Sequence, residues 1–417
     1  MPIDRAAVRN QMRRAKTALL VDSGSLSLKE LINRDRAAFS GMRVLYASEV
    51  AGVPIQEKLS NDGNVQSIFT GKGLLAFSDE IEEAMRGGQA MVHIGVRPLI
   101  DTNLFSDLPK LLTGKEFDTR MRVKAILDYL ATTFGPGLLD WSFASLENMR
   151  EAVKPDNVWP VYKSAAARYY LDHGYSKLTT DDFASYIPTA KDQWNTWLKS
   201  DLMWHQVRRR DIVYAVMLFA FLEAWNGAHT VSALRRTMSF CLDRLGLLPL
   251  KELYFAWKLL RGIHQPEFAL KLYDEAELRR PMATSLNRIG AVAWDLFLFR
   301  WCETQMTQAL SPEEIPGKFE FFVPAVTTLD NGLLAAIRDC PLRALLIHDE
   351  GQVVDSLFAD ELGFHSDLNE AMTPAINARV VDPMRQTDAV RFDHLAVEAA
   401  IKTLETQAQS LTGLKAS

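Results

Sequence analysis

Three aspartates stand where a carboxylate can do chemistry. Asp101 closes the apolar run Met91-Val-His-Ile-Gly-Val-Arg-Pro-Leu-Ile, and Asp330 closes Phe321-Phe-Val-Pro-Ala-Val-Thr-Thr-Leu. Such runs read as strands, and in open parallel sheets sites form beyond the carboxyl ends of the strands. Asp295 lies within Ala291-Val-Ala-Trp-Asp-Leu-Phe-Leu-Phe, where an unpaired carboxylate is costly or takes up a proton. One divalent cation shared among the three would relieve all of them. Each also has a purely structural role open to it. Asp101 and Asp330 can cap the turns that follow, and Asp295 can pair with Arg288 or Arg300.

The elements that position these acids follow from periodicity. Asp118–Phe134, Leu138–Val153, Tyr162–His173, Arg208–Trp225, Val231–Leu245, Leu250–Ile263 and Glu277–Thr307 carry apolar residues at helical steps. Breaks fall at Gly135-Pro136-Gly137, Pro155, Asn226-Gly227 and Gly246. After the Asp330 strand come a helix, Asn331–Arg338, and a further strand, Leu342–His348, a succession typical of a parallel α/β unit. The Asp101 strand is its natural partner, with the intervening helices as one very long crossover. The expected fold is α/β, a parallel sheet core over 93–350 with a helical insertion at about 154–275. Residues 1–92 form a separate mixed segment of unknown role, and 351–417 a helical tail.

Composition narrows the function classes. With 48% hydrophobic and 24% charged residues the 417-residue chain buries real cores, which excludes a disordered or low-complexity protein. A net charge of −5 excludes a globally basic nucleic-acid coat, though not a local groove. Three scattered cysteines make no disulfide framework. Met1-Pro-Ile-Asp-Arg has no apolar signal-peptide core, and the run Ile212–Trp225 is too short to span a bilayer. A cytoplasmic, non-membrane protein is expected. Gly71-Lys72-Gly73 lacks the phosphate-loop spacing, the histidines show no zinc-type pairing, and no serine sits in a nucleophile elbow.

Pro98-Leu-Ile-Asp101-Thr102-Asn103-Leu104 resembles the opening signature of PIN-domain nucleases, and Val326-Thr-Thr328-Leu-Asp330 resembles their later Thr-x-Asp strand end. The acid among apolar residues at Asp295 resembles the helix between them, and Glu147 is the best match to the usual glutamate, ahead of Glu223 and Glu252. The resemblance covers about residues 94–350. It implies a PIN-like core and an Mg²⁺- or Mn²⁺-dependent endoribonuclease, a toxin or defence effector. Asp101, Glu147, Asp295 and Asp330 would then be catalytic metal ligands, and Asn103 and Thr328 would position substrate or carboxylates. Partners would be RNA, with a homo-oligomer or a regulator left open.

Two further patterns carry weaker signals. Arg208-Arg209-Arg210, beside Trp204 and His205, offers phosphate contacts, with a solvated helix face as the plainer fate. Arg168-Tyr-Tyr-Leu-Asp-His173 and Arg343 to His348 match the Arg/His spacing of a second ribonuclease class, a match this composition yields about once by chance. The rival reading of the whole chain is a non-catalytic helical scaffold.

Overall fold

The computed structural model describes residues 4–21, 27–49, 52–54, 63–174, 180–265, 268–273, 280–307, 318–350, 353–380 and 392–412. Glu277, the expected start of the last long helix, lies outside them. The chain forms two compact units, the first of residues 1–199 and 299–359, the second of 200–298 and 360–417.

The first unit opens with α1 (Arg5–Val21), α2 (Leu28–Arg34) and α3 (Arg36–Phe39). Next come β1 (Met42–Ser48), β2 (Val65–Ser67), β3 (Gly73–Phe77), α4 (Asp79–Arg86) and β4 (Met91–Ile100). The helices α5 (Thr102–Leu112), α6 (Arg120–Phe134), α7 (Ser142–Glu147), α8 (Met149–Ala152), α9 (Trp159–His173) and α10 (Thr180–Leu198) follow. The second unit holds α11 (Asp201–Trp225), α12 (Thr230–Phe240), α13 (Leu250–His264) and α14 (Ser285–Met306) as far as Leu298. The chain re-enters the first unit for β5 (Lys318–Thr327), α15 (Asn331–Asp339), β6 (Leu342–His348) and β7 (Val353–Phe358). It returns to the second for α16 (Glu361–Ala371), α17 (Pro374–Val380) and α18 (His394–Thr412).

Two small sheets organise the first unit, in the orders β3-β1-β6-β7 and β2-β5-β4. In the second of these β4 and β5 are parallel and pair over their whole length, from Met91↔Lys318 to Ile100↔Thr327. The expected partnership of the two acid-tipped strands is therefore present. A uniformly parallel core is not: β2 runs antiparallel to β5, and the first sheet is antiparallel throughout. The strand at Leu342–His348 lies in that other sheet rather than beside β5. The short β2 occupies the free edge of β5, and β6 pairs instead with β1 and β7.

Residues 1–92 are likewise not a separate segment. In β1 every residue but Arg43 and Ser48 is buried, so it needs a partner on each side, and it finds β3 and β6. Val8, Met12, Ala15 and Leu19, at helical spacing on α1, share one core cluster with Val44, Tyr46, Ala344, Leu346 and Leu357. The tail also divides, since β7 completes the first sheet while α16–α18 belong to the second unit.

The second unit is helical. Its α11 is buried almost continuously from Arg210 to Leu222 and packs on α13 and α18. One acid there is closely matched by its surroundings. Asp360 accepts from Tyr254 Oη at 2.6 Å and from the buried Lys258 Nζ at 2.6 Å, one donor on each carboxylate oxygen.

Candidate functional site

Asp101 follows the last residue of β4 and occupies the N-cap position of α5, yet its side chain makes no capping hydrogen bond. Instead Oδ2 accepts from Thr328 Oγ1 at 2.7 Å and from Asn103 Nδ2 at 3.0 Å. The strand pairing explains the first bond. Asp101 N donates to Thr327 O at 3.0 Å, extending the β4–β5 ladder one step and bringing Thr328 level with Asp101. Thr328 is wholly buried, and its hydroxyl oxygen also accepts from Asp330 N at 2.9 Å. The Thr-x-Asp spacing thus ties the two strand ends through one side chain.

Asp330 does act as a helix cap, its Oδ1 accepting from Gly332 N at 2.7 Å and Leu333 N at 3.3 Å. The two acids differ in setting: Asp101 is only 8% exposed, whereas Asp330 is half-buried. Burial pushes the Asp101 carboxyl above its usual range. The Thr328 hydrogen bond and the nearby amides of Thr102 and Asn103 work against that shift, while the charge of Asp330 adds to it. Among the described residues no cation neutralises Asp101 through a hydrogen bond: the side chains that donate to it are neutral.

A third strand end adjoins these two. Asp140 forms a parallel bridge with Leu99, accepting from Ile100 N at 2.9 Å and donating to Pro98 O at 2.8 Å. Its Oδ1 accepts from Ser142 N at 2.8 Å. Sequence reasoning missed Asp140 as an acid of this sheet end, because one bridging residue leaves no periodic trace. Thr102 Oγ1, Trp141 Nε1 and Ser142 Oγ, on residues following Asp101 and Asp140, are buried atoms without a hydrogen-bond partner. Such atoms in a folded protein call for a water, an ion or a ligand.

Of the remaining expected residues, Glu147 belongs to the first unit and Asp295 to the second. Glu147 ends α7, and its charge, with that of Glu151, acts on Lys163, whose pKa is lowered chiefly by burial. Asp295 belongs to the second unit, and α14 there buries Val292, Ala293, Leu296 and Phe297 while leaving Asp295 half-exposed. Asp295 is therefore not the fully enclosed acid that its apolar sequence neighbours suggested. Of the other glutamates, Glu223 accepts from Arg236 Nε at 2.6 Å, and Glu252 is buried beside Cys241. Both also lie in the second unit.

The basic run is corrected too. Arg208, Arg209 and Arg210 lie inside α11 rather than on its N-terminal face. Arg210 is buried, bonds Gly290 O, and stacks 5.0 Å from the Tyr214 ring and 5.2 Å from the Trp294 ring. Arg209 donates to Gln206 Oε1 at 3.1 Å. As a phosphate-binding triplet the run fails at Arg210.

The described side chains at the β4–β5 end offer oxygen: the carboxylates of Asp101 and Asp330, that of Asp140 on the adjoining bridge, the Asn103 amide and the Thr328 hydroxyl. That set suits a hard divalent cation. Among the described residues, however, no three His, Cys, Asp or Glu side chains are grouped to hold a metal ion. No protein-family model, curated protein or solved structure matches the chain.

Proposed function

We propose that the carboxyl end of the β4–β5 pair is a divalent-cation-dependent phosphodiesterase site, acting on RNA. One observation carries the reading. Asp101 is a buried carboxylate held by neutral donors alone, with a second acid, Asp330, as its electrostatic neighbour. A structural acid is ordinarily matched by a cation or a full set of donors, and an acid kept unmatched at a strand end is suited to hold one.

Oδ1 of Asp101 and Oδ2 of Asp330 lie outside the hydrogen bonds described above and are the oxygens that would meet Mg²⁺ or Mn²⁺. With two protein carboxylates the remaining positions fall to water, as Mg²⁺ commonly requires. When bound, the cation supplies charge stabilisation and an acidified water. The chain's own part is positional. Thr328 fixes the Asp101 carboxylate and the Asp330 backbone together, and Asn103 holds the same Oδ2. The choice of RNA rests on the PIN-domain resemblance alone.

Cleavage of mixed single-stranded and structured RNA with Mn²⁺ tests the reading, alongside calorimetric Mn²⁺ binding. Asp101→Asn and Asp330→Asn are each expected to lower cleavage at least about a hundredfold with folding intact. Neither cleavage nor Mn²⁺ binding by the unaltered protein would favour the scaffold reading instead.

A further inference from the structure

The helices α9 and α10 pack against each other and enclose a surface groove of about 340 Å³, lined by Arg168, Leu171, Asp172, Ser185, Tyr186 and Thr189. That volume lies at the small end of ligand-sized pockets. Arg168 is turned toward α10, where Nε and Nη2 both donate to Gln193 Oε1 at 3.1 and 2.9 Å. Nη1 lies outside that contact. Opposite it, Tyr186 Oη donates to Asp172 Oδ2 at 2.7 Å and accepts from His173 Nε2 at 2.9 Å. The chain fixes the carboxylate and leaves Asp172 Oδ1 outside it. The bond to Asp172 pushes the Tyr186 phenol up to about 12, so this ring stays neutral and acts as a strut.

The groove therefore offers one preorganised cation, one acceptor-only carboxylate, the side chain of Leu171 and two hydroxyls, of which that of Ser185 donates to Asp182 O at 2.6 Å. A ligand that answers all of these has an anionic group and, a few ångströms away, hydroxyl donors. The same helix pair carries aromatic rings beyond the groove. Tyr162 meets Phe183 at 5.2 Å between centroids and Trp159 at 6.1 Å, and Trp159 is 51% exposed. An exposed ring on the helix that carries Arg168 suits the stacking of a neighbouring base.

We propose that the α9–α10 groove binds one ribonucleotide unit of a single-stranded RNA. Arg168 takes a phosphate, Asp172 accepts the ribose 2′-hydroxyl, Ser185 and Thr189 flank the backbone, and a neighbouring base stacks on the exposed Trp159. The 2′-hydroxyl is the group by which proteins tell RNA from DNA, and a carboxylate is a strict acceptor for it. The choice of RNA rests on the phosphodiesterase reading, but the groove itself requires no metal.

The test is fluorescence anisotropy with a labelled eight-nucleotide RNA and its DNA counterpart, at fixed salt in EDTA. The RNA is expected to bind, and the DNA to bind about tenfold more weakly. Arg168→Ala and Thr189→Glu should each weaken RNA binding by about tenfold or more. Asp172→Asn should close the gap between RNA and DNA. Arg168 also joins the two helices, so Thr189→Glu, at an exposed position, keeps the test sound should Arg168→Ala fail to fold. No RNA binding, equal binding of RNA and DNA, or indifference to Thr189→Glu would each overturn the proposal. Groove-dependent binding without Mn²⁺-dependent cleavage would retain the groove and remove the cation site, and cleavage with groove-independent binding would do the reverse.

Discussion

Asp360 and Asp101 are both aspartates drawn out of bulk water, one in each unit, and they are treated oppositely. Asp360 is met by a buried lysine and a tyrosine hydroxyl, one on each oxygen, and its side chain is 26% exposed. Asp101 is buried more deeply, receives only a threonine and an asparagine on one oxygen, and faces another acid. Composition alone does not tell the two apart. What separates a structural acid from a candidate ligand is the charge left over once its partners are counted.

That contrast can be broken by mutation. The largest expected effect is at the compensated acid. Lys258→Met leaves Asp360 without its cation and should destabilise the protein by about 3 kcal/mol, read from urea unfolding. Next comes Thr328→Val, which removes both the donor to Asp101 and the acceptor for Asp330 N. A loss of about 1–2 kcal/mol is expected, and an unchanged midpoint would mean the two strand ends are not tied through this hydroxyl. Asp330→Ala should cost about 1 kcal/mol by uncapping α15, while Asp330→Asn keeps the cap and costs less.

Asp101→Asn should show the smallest effect and the opposite sign. Both donors converge on Oδ2, so an asparagine oxygen placed there retains them, while the buried charge and its repulsion from Asp330 disappear. A gain of less than about 1 kcal/mol is expected near neutral pH without metal. Its pH dependence sharpens the point. The Asp101 carboxyl is raised in the folded protein from the ordinary 3.8, so on raising the pH the unfolded chain loses this proton first. The native state then binds more protons than the unfolded one, and stability falls as pH rises through that window. The advantage of Asp101→Asn should therefore grow from about pH 4 upward and level off above the folded pKa. A constant difference across that range would show that Asp101 is as well matched as Asp360.

Much of the sheet end was legible in the sequence. An apolar run closing on an acid marks β4, a second closing on Thr-x-Asp marks β5, and their parallel pairing followed from the helices between. The place of β6 was not legible, because it depends on β2, three residues too short to carry a period. The partner of β1 along one edge was not legible either, since it lies about three hundred residues on, at Ala344 to His348. Asp295 and Arg210 misled for a common reason. Local composition gives a residue's neighbours along the chain, whereas the phase of the helix decides which of them surround it. Asp295 is turned half toward solvent, and Arg210 inward onto Tyr214 and Trp294.

The pairing of β4 with β5 also has a history in time. Ile100 leaves the ribosome more than two hundred residues before Lys318, an interval on the order of ten seconds or more at ordinary rates of synthesis. Throughout it, one flank of β4 lacks the strand that will cover it, and the whole sequence of α11–α13 is made in the meantime. Joining ends so far apart costs little more entropy than joining ends half as far, about 0.6 kcal/mol per doubling. The burden is kinetic: a nascent chain holding Asp101 at the tip of an unpaired strand has neither Thr328 nor Asp330, so the candidate site comes into being only once both have been made.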